Sequence, residues 1–336
     1  MYQTKLSKVL VSIASLAVYA IVFTGCTGAS KETEYVETNT NTPLGSCATL
    51  ETVDTSNLVW PAAPAEARVQ YLSSLSNDSV CINGTYTTVN EKISYPKAVA
   101  ADEANGIVYI SDRFGLKAIN SADESVSTIA GVADARGLAF ANGSLYVADA
   151  GSKSVKIVTG GSVASEIGAG SLQRPHGIAV SGGKIYVADA LANAVQIFSA
   201  NGDNVGSLTG ILTPQSVAVN AKGDVYVVHN GNPRVNKYTA DGKLAGTFGP
   251  RCVSSGCLEK PKGIAIDSAG QVYITDMAFQ NVQVFSETGD KASNFGGPGT
   301  QPGTFTMPNL IYIDGSDKIY VAETGIHRVQ IFQALN

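Results

Sequence analysis

The sequence predicts an all-β protein assembled from one repeated unit. Two observations carry that expectation. A single short pattern recurs six times between residue 96 and the C-terminus. No stretch within that span shows the 3.6-residue apolar period of a helix longer than a turn or two. The composition agrees: 44% hydrophobic, 15% charged and 35 glycines in 336 residues suit strands joined by tight turns.

The six copies begin with "PKAVAADEANGIVYISD" at Pro96, "ARGLAFANGSLYVAD" at Ala135 and "PHGIAVSGGKIYVAD" at Pro175. They continue with "PQSVAVNAKGDVYVVH" at Pro214, "PKGIAIDSAGQVYITD" at Pro261 and "PNLIYIDGSDKIYVAE" at Pro308. Each places one tyrosine in register: Tyr109, Tyr146, Tyr186, Tyr226, Tyr273 and Tyr320, at spacings of 37, 40, 40, 47 and 47. Within a copy, "GIAV" and "IYVAD" read as two strands around a glycine turn. "NAVQIF", "NVQVF" and "RVQIF" supply a third, and stretches such as "NVGSLTG" and "KLAGTFG" a weaker fourth. Four antiparallel strands in roughly 40 residues define the blade of a β-propeller. One blade leaves a sheet face bare, and a ring of six covers each face with a neighbour. The last copy ends with its third strand. Its fourth is expected from the N-terminal side, as "GTYTTV" (84–89) or "RVQYLSS" (68–74), which also removes an exposed sheet edge.

The N-terminal residues read differently. Lys5 and Lys8 precede an uncharged, mainly apolar run of 15 residues from Val9 to Phe23. That is short for a membrane-spanning helix and fits a secretory signal over residues 1–25. "FTGC" resembles the lipobox of bacterial lipoproteins, with Phe23 and Thr24 where Leu and Ala or Ser are usual. The resemblance implies acylation of Cys26. Residues 26–57 are polar and aperiodic, the expectation being a flexible tether. Residues 58–95 form the closing segment and 96–336 the six blades. With Cys26 set aside, four cysteines remain in an exported chain. Cys252 and Cys257 bracket a small polar loop, and Cys47 and Cys81 would then pair. Disulfides are favoured over zinc because no C-x-x-C spacing occurs.

The pattern "PxGIAVD…G.IYVAD…N.VQIF" resembles the NHL repeat, and residues 58–336 resemble six-bladed NHL propellers of bacterial envelopes. The resemblance implies the fold and leaves the function open, since such rings serve as binding modules, scaffolds and lyases. It implies a lipid-anchored protein of the cell envelope. Thr27 after the anchor fits the outer membrane of a Gram-negative cell. The formal charge is −5, and −7 without residues 1–25, which argues against a nucleic-acid partner. Another envelope protein or a glycan is the expected partner.

Strand direction places the start of each first strand and the end of each second strand on one face of the disc. The two longest connections, 249–260 and 296–307, lie on that face, where binding is expected. The residues after each initial position should line the channel mouth: Lys97, Arg136, His176, Gln215, Lys262 and Asn309. A propeller lyase similar to this family holds zinc with three histidines at such positions. Here only His176 is a histidine, and Lys97, Arg136 and Lys262 would repel a metal, so no metal or other cofactor is expected. His229 and His327 receive no role. Three cations at a narrow mouth suggest an anion or carboxylate site, with His176 and Gln215 donating. The competing expectation is that Asp112, Asp149, Asp189, Asp276 and Glu323, at the ends of the second strands, neutralise them or tie their own turns. No catalytic residue stands out. A divalent-metal lyase or lactonase is the alternative to a binding or scaffold module.

Overall fold

The computed structural model describes residues 58–335 except 61–68, 77, 83–84, 91–92, 124 and 253–255, and backbone alone for 78–82 and 85–90. All belong to one compact unit, Gly45–Asn336. Cys26, Cys47, the signal and the tether lie outside the described residues, as does any pairing of Cys47 with Cys81. Among the described residues every regular element is a strand, and no helix is long and apolar enough to cross a membrane.

Five sheets contain four strands in sequence order, each antiparallel to the next. Blade 1 comprises Ala98–Asp102, Ile107–Asp112, Gly115–Asn120 and Val126–Ile129. Blades 2 to 5 repeat this arrangement from innermost strands Ala135–Ala141, Pro175–Ser181, Pro214–Val219 and Pro261–Ile266. Blade 6 joins Pro308–Ile313, Lys318–Glu323 and Arg328–Ala334 to two N-terminal strands, Val69–Ser76 and Val59–Trp60. The protein is thus a six-bladed β-propeller closed by its N-terminal segment.

Of the two closing sequences, "RVQYLSS" takes the part. Val69 and Tyr71 alternate inward at 2% and 6% exposure, and Tyr71 meets Phe332 edge-on at 5.6 Å. A register shift between Tyr71 and Ser73 lets Leu72 turn outward. Trp60 packs on Phe295 and Phe332 at 6.0 and 5.9 Å. Residues 85–89 of "GTYTTV" instead fall in Thr85–Asn90, whose partner among the described residues is Asp78–Ile82, in a separate hairpin. A strand at the blade's edge must supply apolar residues to the last core. "GTYTTV" alternates threonines with single larger residues and offers fewer.

The core lies between blades. Tyr186, Ala188 and Val195 of blade 3 meet Val217, Val225 and Val227 of blade 4 in one cluster. Equivalent clusters join the other neighbours. Five of the six repeat tyrosines are buried there. Close approach at the axis is set by the glycine of the "PxG" pattern. A Cβ on Gly137 would sit 2.2 Å from the His176 carbonyl oxygen, and one on Gly177 2.5 Å from Ser216 Cα. The Leu310 N–H donates to the Lys97 carbonyl at 3.2 Å, joining the last innermost strand to the first.

Candidate functional site

Within each blade the start of the innermost strand pairs with the end of the second, as in Pro175 with Asp189 and Pro308 with Glu323. The connections between blades and the turns after the second strands therefore share one face. The acids ending the second strands are occupied there. Asp149 accepts the Ala133 and Asp134 N–H groups at 3.0 and 2.7 Å, and Asp189 those of Gln173 and Arg174 at 2.7 and 2.8 Å. Asp276 accepts those of Glu259 and Lys260, Asp112 that of Ser94, and Glu323 that of Thr306. Each carboxylate anchors the chain entering its own blade. Of the two duties weighed for these acids, tying the turn is the one these bonds show.

At the mouth, Lys97 and Arg136 share Asp134, a residue of the connection between blades 1 and 2. Lys97 Nζ and Arg136 Nη2 each lie 2.8 Å from one of its oxygens. These two cations hold the Asp134 carboxyl below its usual range although burial pushes it up. Sequence reasoning missed Asp134. The signal was available: the residues preceding the other five initial positions are Tyr95, Arg174, Thr213, Lys260 and Met307, none acidic.

His176 Nδ1 lies 3.2 Å from the Gln215 carbonyl oxygen. A carbonyl only accepts, so Nδ1 carries the proton and Nε2 keeps its lone pair. Burial, and then the charges of Arg136, Lys262 and Arg174, bring this imidazole from an ordinary 6.5 to about 4. Arg136 and Lys262 therefore both act on His176. Burial, with Lys260 nearby, lowers the Lys262 amine. Gln215 is buried. Asn309 Nδ2 donates to the Thr324 hydroxyl, which donates to the Pro96 carbonyl at 2.8 Å, so Asn309 braces the seam between blades 6 and 1. His327 adopts a positive φ of 56° and packs against Tyr95 with the rings tilted, centroids 4.1 Å apart.

Each of the two long connections sends one apolar side chain into the core. Cys252 and Cys257 form a disulfide, Leu258 is fully buried, and Gln283 Nε2 donates to the Cys257 carbonyl at 2.7 Å. In 296–307, Phe305 enters the core of blade 6, and Arg328 donates to the carbonyls of Thr300, Gln301 and Thr304. What this face exposes is a set of apolar side chains: Phe114 at 63%, Leu191 at 59% and Leu212 at 53%, with Tyr95 and Met307. Behind the mouth lies a cavity of about 200 Å³, lined by innermost-strand residues such as Val99, Ile178, Val217 and Ile264. Tyr312 enters it with its hydroxyl 3.5 Å from the carbonyls of Ala101 and Phe140, and burial raises its pKa. Among the described residues no three His, Cys, Asp or Glu side chains converge to hold a metal.

The fold and face define a propeller of the repeat class. Residues 172–198, most of blade 3, match the family model of the NHL repeat. No curated protein matches the sequence. A structural-genomics protein of unknown function from Bacteroides thetaiotaomicron VPI-5482 is similar in structure, at 18% identity and a TM-score of 0.62 over 79% of this chain and 76% of that one. A virginiamycin B lyase from Staphylococcus aureus superposes at 13% identity and a TM-score of 0.56, over 80% and 99%. A gluconolactonase from Xanthomonas campestris gives 18% and 0.57, over 71% and 86%. At these identities the likeness is one of fold.

Proposed function

We propose that this is a lipid-anchored protein of the bacterial envelope, sited at the outer membrane, that binds a partner through its loop-rich face, and that the channel mouth grips an anionic group of that partner. The observation carrying this reading is the charge imbalance at the mouth. Lys97 and Arg136 pair with Asp134, Arg136 and Lys262 both bear on His176, and the strand-end acids bond backbone. Lys262 has no carboxylate within ion-pair distance among the described residues. Low-dielectric walls focus such a field onto an incoming carboxylate. Exposed Phe114, Leu191 and Leu212 on the same face supply apolar contact around a charged anchor, the composition of a protein-binding surface.

An envelope protein with an exposed acidic group, or an acidic glycan, fits this chemistry. A lyase or lactonase reading would need oxygen or imidazole donors gathered around a metal, and the mouth gathers cations. Calorimetric titration of the folded domain with small dicarboxylates tests the proposal. One cation in a wet mouth gives about millimolar affinity, and Lys262→Ala should remove the heat. Equal heats for wild type and Lys262→Ala would overturn the anionic grip. Metal that copurifies in stoichiometric amount would overturn the non-enzymatic reading.

A further inference from the structure

Blade 4 departs from the other five at one position. Where Asp112, Asp149, Asp189, Asp276 and Glu323 end the second strands, it has His229. Blade 6 shows what the neighbourhood is built for. Glu323 pairs in register with Arg328 and Val321 with Gln330, so the three polar side chains share one side of the sheet. The Glu323 carboxylate accepts from Arg328 Nε, from Gln330 Nε2 at 2.7 Å and from the Thr306 N–H at 2.8 Å.

Blade 4 repeats the donors and omits the acceptor. His229 pairs with Arg234 and Val227 with Asn236, so His229, Arg234 and Asn236 also share one side, the side facing blade 3. His229 is 1% exposed, and neither ring nitrogen has a partner. Arg234 Nε is buried and equally unpartnered, as is Asn236 Oδ1. The Thr213 N–H, matching the Arg174 N–H that Asp189 holds, goes to Asn193 Oδ1 at 2.9 Å. Asn236 Nδ2 now meets the Tyr238 hydroxyl. A half-turn of that amide lets the hydroxyl donate to Oδ1 and offers an N–H to the gap, as Gln330 does in blade 6. Buried donors left without acceptors are costly, and Arg234 Nε, on a side chain that is otherwise half-buried, is one that cannot shed its proton.

We propose that the gap between blades 3 and 4 is a binding site for one small free anion of the carboxylate or halide class, held by Arg234 Nε, the protonated ring nitrogen of His229 and the Asn236 amide. The anion takes the place that Glu323 fills in blade 6. The site lies one strand out from the mouth, since His229 pairs with Pro214 beside Gln215. It does not rest on the mouth's proposed role.

The test is thermal unfolding of the folded domain at pH 7 and constant ionic strength. Formate, acetate or chloride replaces gluconate, a polyhydroxylated anion far larger than the single side-chain carboxylate that fills this place in blade 6. Tm should rise with the small anions and not with gluconate, by about 5 °C at a hundred times the Kd. His229→Asp supplies the missing carboxylate in place. It should match or exceed the wild-type Tm and lose the anion response. Arg234→Gln should also lose the response, which keeps the test decisive if His229→Asp fails to fold. Lys262→Ala should keep it, separating this site from the mouth. A wild type that responds no more to small anions than to gluconate would show a buried water and overturn the proposal. So would Arg234→Gln or a folded His229→Asp with an undiminished response, or a Lys262→Ala that has lost it.

Discussion

His176 and Gly177 show how adjacent residues divide structure from chemistry. Gly177 lets the innermost strands of blades 3 and 4 touch, with Gln215 O and Ser216 Cα within 2.8 Å of where a Cβ would stand. Both obstacles are backbone and cannot rotate away. Gly177→Ala should therefore cost about 1–3 kcal/mol, read as a fall in urea midpoint with an unchanged m-value. An unaltered midpoint would mean the strands part freely. His176 reports on the mouth. Its folded pKa of about 4 lies below the ordinary 6.5, as does that of His229, which burial and Arg234 also bring to about 4. Between those values the unfolded chain binds protons that the native one does not, so acid favours unfolding. Stability should be full above pH 6.5 and decline as pH falls toward 4. His229 adds to that decline only in buffer free of the small anions proposed to bind beside it, because a bound anion would raise its pKa back toward the ordinary value. Unfolding followed across this range checks the sign. NMR titration of the His176 ring checks the site: a dicarboxylate bound at the mouth should raise its pKa, and Lys262→Ala should raise it without ligand.

The strand that ends the ring matters more than its position in the chain suggests. Val69–Ser76 covers the whole of Arg328–Ala334, seven register pairs that would otherwise present an open edge. Tyr71 anchors it at 6% exposure against Phe332. Tyr71→Ala should cost roughly 3 kcal/mol and expose the edge to pairing between molecules. Chemical denaturation and light scattering would show the two effects together. A variant of wild-type stability that stays monodisperse would mean the seam is held elsewhere. This seam also marks how far the sequence was legible. First and second strands could be read directly, because the tyrosine recurs in every copy and the initial proline in five of the six. Fourth strands such as Ser162–Ile167 are mostly exposed and carry no apolar signal, so the choice between two closing segments stayed open. It turned on Phe332 and Phe295 demanding Tyr71 and Trp60. Side-chain partnerships were less legible. Asp134 neutralises residues on two different blades. The significance of His229 emerges only when register sets Arg234 beside it.

At the scale of the whole molecule, ring and charge argue together. Residues 26–336 carry a formal charge of −7, yet Lys262 stands at the mouth with no carboxylate within ion-pair distance among the described residues, and in the proposed reading that local field draws an acidic group toward the mouth. A single weak anion contact is a poor basis for association in free solution. Confinement to a membrane surface changes this, because tethering converts the encounter into one at high effective concentration. Acylation of Cys26 is the proposed source of the confinement, and the proposed tether over residues 26–57 would supply reach. Cys26→Ser should therefore move the protein from the membrane fraction to the soluble one, or trap the uncleaved precursor. The mature Cys26→Ser domain should keep the calorimetric heat of the mouth with dicarboxylates, while capture of the partner from intact envelopes falls by about 10²-fold or more. Retention of Cys26→Ser in detergent-sensitive membranes as a fully processed chain would show that something other than lipid at this cysteine holds it there. Unchanged capture by the released protein would show that the loop-rich face binds tightly enough to need no anchor.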